Sequence, residues 1–175
     1  MTNVNVKINV TPSFCNDWPL FTVLHNNNVV WDGRILHNQI LEFNLQCDTN
    51  NKLTFKHYGK RFGENNVWDT TKTEDRFLKI NDILFDDVSI GDEIKNQLTM
   101  HTYTGHGNLQ TYGLMNFNGH IDLEFETPVY DWLILSKYKK EVKDAAFFSN
   151  YTTRWHYDKD IELIKEIKVL MDLND

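Results

Sequence analysis

The chain has 175 residues, a formal charge of −7, 41% hydrophobic and 25% charged residues, the profile of a globular domain that buries roughly two thirds of its unfolded surface. No apolar run approaches the roughly 20 residues that span a bilayer, and the surplus of acid argues against sequence-independent nucleic-acid binding, which needs a cationic face to displace counterions from phosphates. Asparagine (20) and lysine (14) far outnumber alanine (2) and arginine (4), a codon skew of the kind an AT-rich genome produces and one that suits phages and small-genome bacteria.

The first predicted element is a strand in which Val4, Val6, Ile8 and Val10 alternate with polar residues, so that one face of a sheet takes all four; Pro12 is expected to end it. The same segment lacks the charged start and continuous apolar core of a secretory signal, and synthesis in the bacterial cytoplasm without a signal peptide is expected. Leu20 to His25 and Val29 to Asp32 predict a hairpin around Asn26-Asn27-Asn28, because asparagine tolerates left-handed backbone angles. A second turn is expected at Asp32-Gly33. Leu41, Phe43 and Leu45, then Leu53, Phe55 and His57, alternate on either side of a polar turn at Asp48 to Asn51, and read as neighbouring antiparallel strands.

Residues 76–90, RFLKINDILFDDVSI, form a further strand-like run. The stretch from His101 to Gly113, with His101, Tyr103, His106, Tyr112 and three glycines, reads as a flexible loop suited to contact with a protein or glycan, or as an ordinary surface loop. Ile121, Leu123 and Phe125 repeat the period of two, and Val129 to Leu135 continues beyond Pro128 as a last apolar strand or short buried segment. Short strands with turn signals every 8 to 12 residues predict an all-β fold, an antiparallel, jelly-roll-like β-sandwich over residues 1–137. Trp18, Trp31 and Trp132 are expected in its core. Cys15 and Cys47, only two and far apart, predict reduced, partly buried thiols rather than a disulfide or zinc framework.

Residues 138–175 are predicted to be a C-terminal arm. Residues 139–157 mix charge with aromatic residues and show no clean period; Lys137, Lys139, Lys140 and Lys143 read as a solvated basic face. An amphipathic helix is predicted at about 158–173, where Leu163, Ile164, Ile167, Leu170 and Met171 share one face. A helix of this length is marginal alone in water, so that face docks either on its own sandwich or on a partner.

Between Gly59 and Asp75 the chain carries Glu64, Asn65, Asn66, Asp69, Glu74 and Asp75. Such a set of oxygen donors on a loop between strands suits a hard cation such as calcium, though without the fixed spacing of an EF-hand; a plain solvated loop is the alternative. Trp68 offers an apolar face on which a pyranose can pack, or anchors the loop. Catalytic arrangements are lacking: Ser13, Ser89, Ser136 and Ser149 stand outside any G-x-S-x-G setting, and there is no phosphate-binding or dinucleotide fingerprint. The carboxylate pairs Asp86 with Asp87 and Glu124 with Glu126 are the remaining hydrolytic candidates. No enzymatic activity is expected.

Pro19-Leu20-Phe21-Thr22-Val23, the hairpin ending in Asp32-Gly33, Leu53-Thr54-Phe55-Lys56-His57-Tyr58-Gly59-Lys60, the acidic loop and Asp75-Arg76-Phe77-Leu78-Lys79-Ile80-Asn81-Asp82-Ile83 occur in this order. The order resembles calcium-dependent xylan-binding-type carbohydrate-binding modules. With Phe62-Gly63-Glu64-Asn65, Val67-Trp68-Asp69-Thr70 and Pro128-Val129-Tyr130-Asp131-Trp132, the chain is also similar to sandwich proteins of marine tailed phages. The resemblance spans about Asn3 to Leu133. It implies a two-sheet sandwich of about nine strands, calcium held by Glu64, Asp69, Glu74 and Asp75, and sugar contacts from Tyr58, Asn65 and Trp68. The expected function is that of a non-enzymatic structural or accessory protein of a phage virion, joined through the C-terminal arm to other virion proteins or to a second copy. A calcium-dependent module for surface polysaccharide is the alternative.

Overall fold

A computed structural model describes residues 2–61, 75–103 and 105–137. Its strands are β1 (Thr2–Ser13), β2 (Leu20–His25), β3 (Asn28–Arg34), β4 (Gln39–Cys47), β5 (Asn50–Tyr58) and β6 (Phe77–Phe85). These are followed by β7 (Val88–Ser89), β8 (Thr99–Thr102), β9 (Asn108–Gln110), β10 (Leu114–Met115) and β11 (Gly119–Glu126). A five-residue helix, α1 (Gly91–Lys95), follows β7, and residues 129–137 are helical. One antiparallel sheet has the order β10-β6-β1-β4, with β7 also on β6; the other runs β3-β2-β5-β11-β8-β9. The chain divides into a unit of residues 1–133, which holds both sheets, and a second of residues 134–175.

The fold is the expected antiparallel β-sandwich, built from eleven strands among the described residues instead of about nine; β7 and β10, two residues each, are the shortest. Val4, Val6, Ile8 and Val10 are buried as their alternation predicts. Facing layers meet ring to ring: Phe85 of β6 lies 4.7 Å from Phe125 of β11, and the Trp132 ring stands 5.9 Å and 6.1 Å from that pair. Trp31 and Trp132 pack on the core half-buried, and Trp18, also half-buried, meets Phe14 edge to face at 5.1 Å. Both cysteines are free and buried; burial pushes the Cys47 thiol up to about 11.

Four local expectations change and a fifth is narrowed. β1 continues through Pro12 to Ser13, because β4 stops opposite Val10 and leaves that end of β1 paired on one side only, where proline is tolerated. Asp32-Gly33 is strand, not turn: the hairpin turns once, at Asn26 and Asn27 with φ of 46° and 69°, and Gly33 lets the Trp31 ring lie across β3. β4 and β5 are not neighbours; the turn at Asp48 carries the chain from one sheet to the other. Of the strand or short buried segment expected after Pro128, residues 129–137 form a helix that buries Val129 and Leu133, since a short apolar run does not by itself distinguish helix from strand. His101 to Gly113 is largely a hairpin of β8 and β9, not a flexible loop. In β6, Asn81 is an extra residue opposite the Asn9/Val10 step, and this bulge turns both Leu78, Ile80 and Ile83, Phe85 inward.

Candidate functional site

Tyr58, at the end of β5, and Asp75, just before β6, flank the acidic segment. Both stems are held by side chains that reach backbone carbonyls. Arg76 is 2% exposed; its Nε and Nη2 donate to the Cys15 carbonyl at 3.2 and 2.9 Å, and Nη1 donates to the Gly59 carbonyl at 2.6 Å. A planar guanidinium suits this task because its fork serves two directions at once. Gly59 has φ of +86° and a Leu20 methyl 2.8 Å from where a Cβ would stand, which favours glycine there.

The Lys60 side chain is 5% exposed; it forms an ion pair with Asp75 and donates to the Asn116 carbonyl at 2.6 Å. Asn118 closes the same stem: its Oδ1 accepts from the Lys60 amide at 3.0 Å and its Nδ2 donates to the Lys60 carbonyl at 2.7 Å. A buried ammonium is tolerated only when paired and hydrogen-bonded, and here it is both. Beside the stem, Tyr58 donates its hydroxyl to Asp32 Oδ1 at 2.7 Å and Thr22 donates to the same oxygen at 2.5 Å. These two hydrogen bonds, Thr22 first, hold the Asp32 carboxyl below its ordinary range.

Of the residues expected to hold calcium, Asp75 is described, and its Oδ1 accepts from Lys60. Glu64, Asp69 and Glu74 lie outside the described residues, as do Asn65 and Trp68 and the arm residues Leu163, Ile164, Ile167, Leu170 and Met171. Among the described residues no group of three or more His, Cys, Asp or Glu comes together to hold a metal ion. Asp86 and Asp87 form the turn after β6, where Asp86 accepts from the Asn5 amide at 2.8 Å and Asp87 pairs with Lys7.

On the outer face of the six-stranded sheet, the rings of His101 and His120 stack at 4.9 Å, and Tyr103 follows at 5.5 Å. His101 Nδ1 meets Asn108 Oδ1 at 2.8 Å, a bond that holds the β8–β9 hairpin. Burial disfavours the imidazolium of His120 and lowers its pKa. Burial also opposes ionisation of Asp122, yet hydrogen bonds from Lys52 at 2.7 Å and Thr54 at 2.6 Å hold its carboxyl below the usual range.

The far end of the sandwich holds an open cleft of about 520 Å³ whose walls include Asn26, Asn50, Lys52, Glu124, Glu126 and Trp132. Its residues come from the β2–β3 turn, the start of β5, the end of β11 and the helix after it. The alternation of β11 foretold only that Glu124 and Glu126 share a face. Sequence reasoning also missed Arg76 and Lys60, the residues that brace the loop stems.

No family model matches the chain, and no curated protein does. Two solved structures are similar in fold. One, described as vCBM60 in complex with galactobiose, aligns with a TM-score of 0.45 at 10% identity, over 67% of this chain and 95% of that one. The other is a selenomethionine form of vCBM60, described in connection with a circular permutation that links two families of calcium-dependent carbohydrate-binding modules. It aligns with a TM-score of 0.45 at 11% identity, over 69% of this chain and 89% of that one.

Proposed function

We propose that this chain is a non-catalytic binding module that presents residues 62–74 to a polysaccharide from one end of a rigid sandwich. The observation that carries the reading is the bracing of both stems: buried Arg76 joins Cys15 to Gly59, and buried Lys60 joins Asp75 to Asn116. A binding loop gains affinity when the frame has already met the cost of ordering its ends. In this proposal Glu64, Asp69 and Glu74 supply carboxylates to calcium, Asn65 and Trp68 meet the sugar, and Tyr58 borders the site. Asp75 serves the stem first, because its carboxylate is engaged by Lys60. A calcium ion would supply a centre that two neighbouring sugar hydroxyls can chelate.

The finer proposal is that the module belongs to a phage virion, which it joins through residues 138–175. The sequence resemblance supports that reading, and residues 134–175 are a unit of their own. A glycan array with galactobiose and xylan fragments among its probes tests both parts, using the full chain and a chain ending at Lys137, each with calcium and with a chelator. The expected result is a glycan signal present in both chains and lost with the chelator, together with self-association or partner capture by the full chain alone. An array blank under every condition would remove the glycan reading, and equal association by both chains would remove the arm as a docking element.

A further inference from the structure

We propose that the cleft beside Trp132 is a second saccharide-binding site, selective for neutral sugars and independent of the acidic loop and of any metal. It goes beyond the loop-end reading and stands without it. The two places are far apart: β5 and β11 pair Asn50 with Glu126 at the cleft and His57 with Gly119 at the loop end. Seven residues of strand, at about 3.3 Å each, separate them by about 23 Å. The cleft volume of about 520 Å³ lies in the range of roughly 300–1,000 Å³ typical of small-molecule sites.

The lining identifies the class of ligand. Lys52 is spent on Asp122, with Nζ 2.7 Å from Oδ2, so the charges left open are the carboxylates of Glu124 and Glu126. Both side chains are exposed, and neither makes an ion pair or hydrogen bond among the described residues. Phosphates, uronates and nucleic acid are disfavoured in such a cleft by like charge. The Asn50 amide, likewise exposed and without a side-chain hydrogen bond among the described residues, adds a donor and an acceptor side by side. Carboxylates that accept, an amide that does both, and the half-buried indole of Trp132 match the hydroxyls and the C–H face of a pyranose. A protonated polyamine would satisfy the carboxylates but has no acceptor for the amide N–H.

The wall is also built in advance. Asn26 and Lys52 exchange hydrogen bonds: the Asn26 amide donates to the Lys52 carbonyl at 2.9 Å, and the Lys52 amide donates to Asn26 Oδ1 at 2.8 Å. Buried Asn51 ties this pair to the Asp48 turn through Asn26 Nδ2 at 3.4 Å, the Asp48 amide at 3.0 Å and the Asp48 carbonyl at 2.6 Å. A site fixed in this way loses little freedom on binding.

The test is calorimetric titration of the full chain with galactobiose, xylotriose, cellotriose and maltotriose at millimolar concentration, with a chelator present throughout and then with calcium. Spermine is run as the cationic control. Wild type is compared with Asn50→Ala and with the Glu124→Gln, Glu126→Gln double variant, all exposed positions whose substitution leaves the core intact. The proposal expects at least one sugar to bind in chelator, with Kd raised roughly tenfold or more in both variants. It is overturned if no sugar binds in chelator, if binding is indifferent to the cleft variants, or if spermine binds there in place of sugar. Binding that needs calcium and ignores the cleft variants would sink this site and leave the loop-end reading intact; the converse pattern would keep this site and sink that reading.

Discussion

Arg76→Met is expected to lower the unfolding free energy by about 4 kcal/mol, because it orphans two carbonyl oxygens that a buried guanidinium now serves. Each buried acceptor left without a partner costs about 1–3 kcal/mol, and bonds to a charged donor lie at the upper end. In a domain of this size the loss corresponds to a drop in Tm of roughly 8–16 °C. Arg76→Lys should recover less than half of it, since an ammonium is a point donor and lacks the fork that spans Cys15 and Gly59. Urea unfolding of wild type and both variants checks the ranking; a loss below about 1 kcal/mol for Arg76→Met would mean that the stem is held by other groups.

The second large effect is a pH dependence centred on His57. This side chain is fully buried in β5; its Nδ1 donates to the Phe117 carbonyl at 2.8 Å, and its Nε2 has no hydrogen-bond partner among the described residues. Burial, with smaller contributions from Lys60 and Arg76, pushes the imidazole down to about 4 against an ordinary 6.5. Between these two values the unfolded chain binds the proton and the folded one does not, so stability rises with pH across the window. The contribution is complete above about pH 6.5 and is lost as pH falls towards 4, a swing of about 3 kcal/mol for one group. Urea midpoints at pH 7 and pH 4 for wild type and His57→Gln isolate it from the carboxylates that titrate nearby. The variant should lose about 3 kcal/mol less than wild type over that interval, whereas parallel losses would assign the acid sensitivity elsewhere.

His57 also marks how far the sequence could be read. Its place in the alternation Leu53, Phe55, His57 put it on the inner face, and the structure leaves it 0% exposed. The same rule gave the inward residues of β1, β4 and β11, because period-two burial is a local property of each strand. Pairing between distant strands is not local. The Asp48 turn reads identically whether it joins neighbours or passes from one sheet to the other, and only the burial of both faces of the core decides the matter. The extra residue Asn81 likewise shows up only when β6 is laid against β1. The candidate sites follow the same division. Acidic residues around Trp68 were visible as a run, but the clamp depends on Arg76 meeting carbonyls of Cys15 and Gly59, 61 and 17 residues away. The cleft gathers Asn26, Asn50, Glu124 and Trp132 from four separate stretches, and nothing short of the fold brings them together.

Backbone amide exchange at the two stems tests the central claim, that the sandwich holds the ends of the 62–74 segment as rigidly as its own strands. The amides of Tyr58, Lys60, Phe77 and Leu78 should exchange in wild type as slowly as those of β1 and β11, and in Arg76→Met they should lose that protection while the core keeps it. Stem amides that exchange in wild type at the rate of an open chain would contradict the account.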